Sequence, residues 1–366
     1  IYFTYTNENP IAFNPFYVED GVFDIETIGV IGTGEIARLH MEALRTFSWQ
    51  LAGGYDVNVS AAQEFCRTFG GRVYESSQQL LDDRGIDTVY VCTRHDSHVR
   101  VACAAMAAGK SVFLEKPLAM GTEDALLLLK AHSEHPVPFA VGFNMRVAPA
   151  TRKFRSLLNE AQAQVVSFKA SMTGPPFMDG WASDPVQGGG ALVCQGSHMF
   201  DLLRYTLGSP VAAVCGSVQH LGISPDREPN AATLLVKLEN GACGTLLLHD
   251  RGNPAFHAGA EGRMVGITAY SPQGTFEMDA YGKVRWGTAG GYYECLPPDE
   301  PDQCTRWGYR REAEEFRRLL ETGKSELCTL EQGLGVVAVV DAARRAVRSG
   351  GWEHCPGIKN SMEEHQ

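Results

Sequence analysis

The chain has 366 residues, longer than one hydrophobic core usually organises, so two domains are expected. Its 44% hydrophobic and 20% charged residues suit a globular protein, and no run of about 18 apolar residues offers a membrane span. A formal net charge of -11 argues against nucleic acid or an anionic membrane as partner.

Ten cysteines are scattered with no Cys-x-x-Cys, which suits reduced thiols in a cytoplasmic protein better than a disulfide framework or a zinc site. Residues 1–25 are rich in aromatics, acids and prolines and lack the basic start of a signal peptide. They read as an extension, packed on the surface or on a partner subunit.

From Glu26 the pattern changes. Apolar runs at Thr27–Ile31, Leu51–Asp56, Thr88–Cys92, Ser111–Leu114 and Pro138–Gly142 alternate with helical stretches at 38–47, 61–69, 99–108 and 122–132. That alternation predicts a doubly wound parallel sheet covered on both faces.

After about residue 150 come helix signals at 151–158 and 191–207. Strand-like runs follow at 165–172 (before the second helix), 211–218, 231–238, 242–248, 264–269 and 274–278. Turn signals such as Glu239-Asn-Gly241 separate them, which predicts a large, mainly antiparallel sheet with one open face. Helices at 309–320 and 330–347 close the pattern. The fold class expected is α/β: a Rossmann domain at 26–146, an α+β substrate and assembly domain at 147–352, and a polar tail at 353–366. The last helices are free to pack back on the first domain.

Gly32-Thr33-Gly34-Glu35-Ile36-Ala37 lies between the first strand and its helix, with Asp56 ending the second strand. Gly-x-Gly-x-x-Ala alone is weak, but in this setting it is a dinucleotide fingerprint. Gly32 permits the tight turn, Gly34 admits a pyrophosphate, and the helix start offers N–H groups to it. A carboxylate at Asp56 suits the ribose hydroxyls and repels a 2′-phosphate, so NAD is expected over NADP. Thr93-Arg94-His95-Asp-Ser-His98 follows the third strand, at the sheet edge that binds ligands. Its backbone and Thr93 would line the nicotinamide end, although the histidines could simply cap the next helix.

Glu115-Lys116-Pro117 follows the fourth strand directly. With the fingerprint before it, Val141-Gly-Phe-Asn-Met-Arg146 after it, and Gly188-Gly-Gly-Ala-Leu-Val-Cys-Gln-Gly-Ser-His198-Met-Phe-Asp201 further on, the chain resembles the Gfo/Idh/MocA oxidoreductases over about Glu26–Trp352. The resemblance implies a pyranose, cyclitol or similar polyol held against the nicotinamide. It also implies an open sheet used for subunit contacts, hence a homodimer or homotetramer. Lys116 matches the family's active-site lysine and His198 its active-site histidine.

The residue chemistry supports both matches. An ammonium at a strand's carboxyl end can stabilise a developing alkoxide. A histidine titrating near neutrality can take the hydroxyl proton. Asp201, three residues after His198, is a candidate for holding its ring, and the glycines before the helix would let it approach the cofactor.

One position departs from the family. Many members place Asp four residues before the histidine, where this chain has Cys194. The Thr93–His98 loop also differs from the commoner proline-containing one. Cys194 is open to three readings: a neutral residue of the substrate pocket, a sign of lost redox catalysis, or a nucleophile or metal ligand. Cys194 and His198 alone are too few for a metal site, so no metal is expected.

Gln195, Asn144, Arg146 and Trp181 complete the substrate-binding candidates. Arg146 could hold a carboxylate or phosphate, or form an interface ion pair; Trp181 could cover a sugar ring or pack in its loop. The function expected is transfer of a hydride between NAD and a secondary alcohol or ketone. The alternatives are a catalytically silent NAD-binding regulator and a glycosidase working through transient oxidation.

Overall fold

A computed structural model describes residues 26–45, 47–174, 180–251, 264–295 and 302–355. The N-terminal extension and residues 356–366 of the tail lie outside the described residues.

The first sheet contains β1 (Glu26–Ile31), β2 (Trp49–Tyr55), β3 (Arg72–Val73), β4 (Thr88–Val91), β5 (Ser111–Glu115) and β6 (Phe139–Gly142). All described pairings are parallel, in the order β3-β2-β1-β4-β5-β6. The crossovers run through α1 (Glu35–Leu44), α2 (Val59–Phe69), α3 (Ser77–Leu81), α4 (His98–Ala107) and α5 (Thr122–Glu134). Strands β4 and β5 are almost wholly buried, as continuous apolar strands between two helical layers must be. β3 escapes a reading by hydrophobic runs, because it is two exposed residues paired to the edge of β2.

After α6 (Pro149–Glu160) and β7 (Ser167–Thr173), the chain forms α7 (Gly190–Cys194) and α8 (Gly196–Leu207). Then follow β8 (Val211–Gln219), β9 (Ala231–Leu238), β10 (Cys243–His249), β11 (Met264–Ser271), β12 (Gly274–Asp279), β13 (Val284–Thr288) and β14 (Gly291–Cys295). Last come α9 (Gln303–Arg306), α10 (Tyr309–Thr322), α11 (Leu330–Ser349) and β15 (Glu353–His354).

The second sheet has the order β14-β13-β12-β11-β7-β10-β9-β8-β15 among the described residues. It is antiparallel except where β7 meets β10. Along β9, Thr233, Leu235 and Lys237 point to solvent while Leu234, Val236 and Leu238 are buried, so one face packs on the helices and the other is open. Hydrophobic pattern misses β13, which is half-buried after Val284, and β14, which is largely exposed; Trp286 and Tyr293 stack across them at 5.4 Å.

Two departures position the site. The single helix expected at 191–207 is two, separated by Gln195 just before Gly196. Helix α10 packs on α1 and seals the first sheet: Phe316 meets Tyr90 at 5.8 Å and Phe113 at 5.2 Å.

Candidate active site

The strand order reverses between β1 and β4, and the crevice at their carboxyl ends is where an open parallel sheet takes a ligand. Gly32 there has φ +89°, and a Cβ on it would stand 2.5 Å from the Cys92 carbonyl oxygen, so only glycine fits. Gly34 is the opposite case. A Cβ on it would meet nothing within 4 Å, and Glu35 and Ile36 beside it are exposed.

No side chain caps the start of α1, which leaves its first N–H groups available to an anion. The Asp56 carboxylate accepts from the Thr33 N–H at 2.8 Å and from the Asn58 N–H at 2.8 Å, which fixes it beside the turn. Next to it Val57 is 88% exposed. An open glycine, an uncapped helix start and a fixed carboxylate fit a dinucleotide.

The loop after β4 is placed differently from what its residue types suggest. His98 has Nδ1 2.7 Å from the Pro117 carbonyl and Nε2 3.1 Å from that of Thr93. Burial lowers its pKa, and the two carbonyls oppose this by favouring the protonated ring. His95 donates Nδ1–H to the Gly188 carbonyl at 2.9 Å. Burial first, then the nearby Lys116 and His98, hold this ring well below its usual pKa. Thr93 accepts from the Ser97 hydroxyl at 2.7 Å, and Arg94 donates to Gln187. Arg94, His95 and His98 therefore tie the loop to the rest of the protein, the two histidines buried and Arg94 exposed.

The Glu115-Lys116-Pro117 stretch divides its side chains. Glu115 turns inward, with Oε1 2.7 Å from His40 Nε2 and Oε2 accepting the Lys116 N–H at 3.1 Å. His40 is absent from any motif reading. Yet Ala37, His40, Met41 and Leu44 are the buried stripe of α1 at i, i+3, i+4, i+7, so a histidine on an apolar stripe was the available signal.

Glu312 on α10 is also fully buried, and neither of its carboxylate oxygens has a hydrogen-bond partner among the described residues. Burial, then the charge of Glu115, push its pKa well above the usual carboxyl range; Arg146 opposes this and Asp201 adds to it. Lys116, half-buried and joined to Pro117 by a cis peptide, points the other way. Its Nζ donates to the Cys194 carbonyl at 3.4 Å and lies 3.9 Å from Sγ of the same residue. His198 follows in the first turn of α8, 8% exposed, edge-on to Phe143 at 5.9 Å. The structure thus brings together Lys116, Cys194 and the start of the His198 helix, from 78 residues apart.

Other candidates lie elsewhere. Arg146 is buried in a forked ion pair with Asp201, its Nε 3.0 Å from Oδ2, and donates Nη1–H to Gln332 at 2.7 Å. It is an internal pair, neither a substrate anchor nor an interface contact. The same pairing, with Arg204 at 3.2 Å, engages both Asp201 oxygens with arginines. Asn144 is buried and donates to the Trp307 carbonyl at 2.9 Å.

Gln195 is fully buried, with Nε2 donating to the His249 carbonyl at 3.3 Å. Trp181 is 38% exposed and meets His95 edge to face at 4.9 Å. The glycine run serves the chain's own packing. A Cβ on Gly188 would stand 2.3 Å from the Trp181 and Ala182 carbonyl oxygens, and one on Gly190 2.6 Å from that of Pro229. Among the described residues no group of three His, Cys, Asp or Glu could hold a metal ion.

Comparison with known proteins agrees with this geometry. Residues 27–143 match the model of the oxidoreductase family with an NAD-binding Rossmann fold, and residues 152–255 match the Gfo/Idh/MocA C-terminal domain. A TraG P-loop domain model matches residues 1–39, but no lysine precedes Lys110, and a P-loop needs one after its glycines.

Glucose-6-phosphate 3-dehydrogenase of Bacillus subtilis is 30% identical over 191 residues, covering 50% of this chain and 53% of that protein. Levoglucosan dehydrogenase of Pseudarthrobacter phenanthrenivorans is 25% identical, covering 90% of this chain and 98% of the relative. The solved levoglucosan dehydrogenase complex with NADH and levoglucosan superposes with a TM-score of 0.82 at 20% identity, over 91% of this chain and 99% of that one. With its parallel sheet, its fingerprint crevice and both family domains in place, the chain belongs to the Gfo/Idh/MocA oxidoreductases and carries their NAD-binding Rossmann domain.

Proposed function

We propose that this protein is an NAD-dependent dehydrogenase or reductase acting on a secondary alcohol or ketone carbon of a sugar, sugar derivative or cyclitol. The observation that carries the reading is the meeting of Lys116 with Cys194, four residues before His198, at the carboxyl edge of the sheet that holds the dinucleotide crevice. Bound NAD supplies the hydride acceptor or donor. Lys116 hydrogen-bonds the reacting oxygen and stabilises its developing negative charge. His198 accepts the hydroxyl proton in oxidation and returns it in reduction.

Cys194 stands beside the ammonium as a compact, neutral neighbour of the reacting oxygen. The carboxylate of Asp56 favours NAD over NADP by repelling a 2′-phosphate. Copies assemble through the open face of the second sheet, where Leu235, Leu247 and Tyr270 are exposed. The relatives named for sugar substrates support this substrate class.

The test is purified protein with NAD and a panel of pyranoses, anhydrosugars, aminosugars and inositols, followed by NADH absorbance. Turnover by the wild type and its loss by about 100-fold or more in both Lys116→Ala and His198→Ala are expected. Full activity in both variants overturns the assigned roles. Tight NAD binding with no turnover on any polyol overturns the enzyme reading.

A further inference from the structure

His198 occupies a mechanically weak place. Helix α7 stops at Cys194 and α8 starts at Gly196, so the histidine sits in the first turn of a new helix without a side-chain cap. Its place against the sheet edge depends on how α8 itself is held. Two contacts from the first sheet hold this segment on either side of His198. Lys116, just after β5, reaches Cys194, four residues before it. Arg146, in the turn Asn144–Val147 just after β6, reaches Asp201, three residues after it. The guanidinium also lies over the Tyr205 ring at 5.1 Å, one turn further on. Strands β5 and β6 are neighbours, so both contacts come from one stretch of sheet edge.

Stability does not explain the second contact. Arg146 and Asp201 are 2% and 1% exposed, and taking two charges out of water costs so much that apolar residues of similar volume often hold a fold as well. A forked guanidinium–carboxylate pair supplies direction instead: two roughly parallel bonds resist both sliding and rotation of the helix. Gln332 of α11 holds a further guanidinium nitrogen, and Arg204 holds the carboxylate from the other side. We propose that Arg146 and Asp201 are positioning residues that fix His198, through the rotation and depth of α8, against the sheet edge bearing Lys116. The proposal rests on the catalytic reading of His198 given above.

The experiment compares wild type with Arg146→Gln, Asp201→Asn, Arg146→Lys and the apolar pair Arg146→Met/Asp201→Leu. It measures kcat, KM, NAD affinity by fluorescence and Tm. It also follows the His198 NMR signal of histidine-labelled protein, assigned with His198→Asn. Each charge-breaking single variant leaves one buried charge and lowers both Tm and kcat. Arg146→Lys keeps the charge without the fork and falls between.

The apolar pair is expected to recover most of the Tm while kcat stays about 10- to 100-fold down, with NAD affinity unchanged and the His198 signal displaced. A role in stability alone would return kcat together with Tm. That result, or a His198 signal identical to wild type in the apolar pair, overturns the proposal. If the wild type turns over no substrate, the catalytic reading fails, while the His198 signal still decides whether the ion pair positions the ring.

Discussion

The nucleotide crevice and the catalytic segment are built in opposite ways. In the crevice the pairings are short-range: Thr33 and Asp56 are 23 residues apart, and the turn, the helix start and the open glycine are consecutive. Backbone groups do most of the work there. In the catalytic segment every defining contact is long-range, from Arg146 to Asp201 over 55 residues, from Lys116 to Cys194 over 78, and from Arg146 to Gln332 over 186. A local motif can present a phosphate site, because N–H groups and glycine torsions need no partner from elsewhere. Bringing Lys116 to Cys194 and Arg146 to Asp201 needs distant parts of the chain to pack together.

The sharpest way to break the long-range side, apart from the catalytic residues themselves, is at its inner end. His40→Ala would leave the buried Glu115 carboxyl without its imidazole partner, and stripping a buried polar group of its hydrogen-bond partner costs about 1–3 kcal/mol. Urea unfolding should show that loss, and a cost under about 1 kcal/mol would mean that the pair is not holding Glu115.

The short-range side gives a comparable and cleaner effect. Asp56→Ala removes the crevice carboxylate and should weaken NAD binding by about tenfold or more, a charged hydrogen bond being worth about 1.5–3 kcal/mol, while NADP binding improves relative to NAD. Titration of fluorescence with both cofactors tests this; equal loss for the two would count against a ribose contact.

Glu312 offers a pH test of the seam between α10 and the first sheet. Its folded-state pKa is raised, so the folded protein holds the proton that the unfolded chain releases above 4.5. The resulting stability is fully present below 4.5 and is lost as pH rises toward the folded value. Glu312→Gln should therefore gain on wild type as pH climbs from 4 to 8 and match it at the acid end. Denaturation curves across that range decide it, and a pH-independent difference would contradict a raised pKa.

The smallest expected effect on folding is on the open sheet face. Leu235→Asp, at a residue 45% exposed, should change monomer stability by roughly 0.5 kcal/mol or less yet reduce the assembled mass in light scattering. An unchanged mass would move the assembly surface elsewhere.

Much of this was legible beforehand for specific reasons. Strands β1, β4 and β5 read as apolar runs because both faces are covered. Thr329 and Gln332 form a capping box that starts α11. The break at Gln195 was hidden, since 191–207 keeps a helical pattern of apolar residues through it. Arg146, Asn144 and Gln195 looked like pocket residues because polar groups near a sheet edge often are. Their partners, Asp201, the Trp307 carbonyl and the His249 carbonyl, come from distant parts of the chain.

By itself the sequence determined the parallel sheet, the dinucleotide turn and the family, because periodicity, glycine torsions and a motif at a strand end are properties of neighbouring residues. Only the tertiary structure decided which way each polar side chain turned. It sent Glu115 inward to His40 and Lys116 outward to Cys194, although the two are adjacent in the chain. It also paired Asp201 with Arg146 and Arg204. The physical reason is that a buried polar group takes whichever partner the packing of distant elements brings within about 3 Å, and no local pattern records that choice.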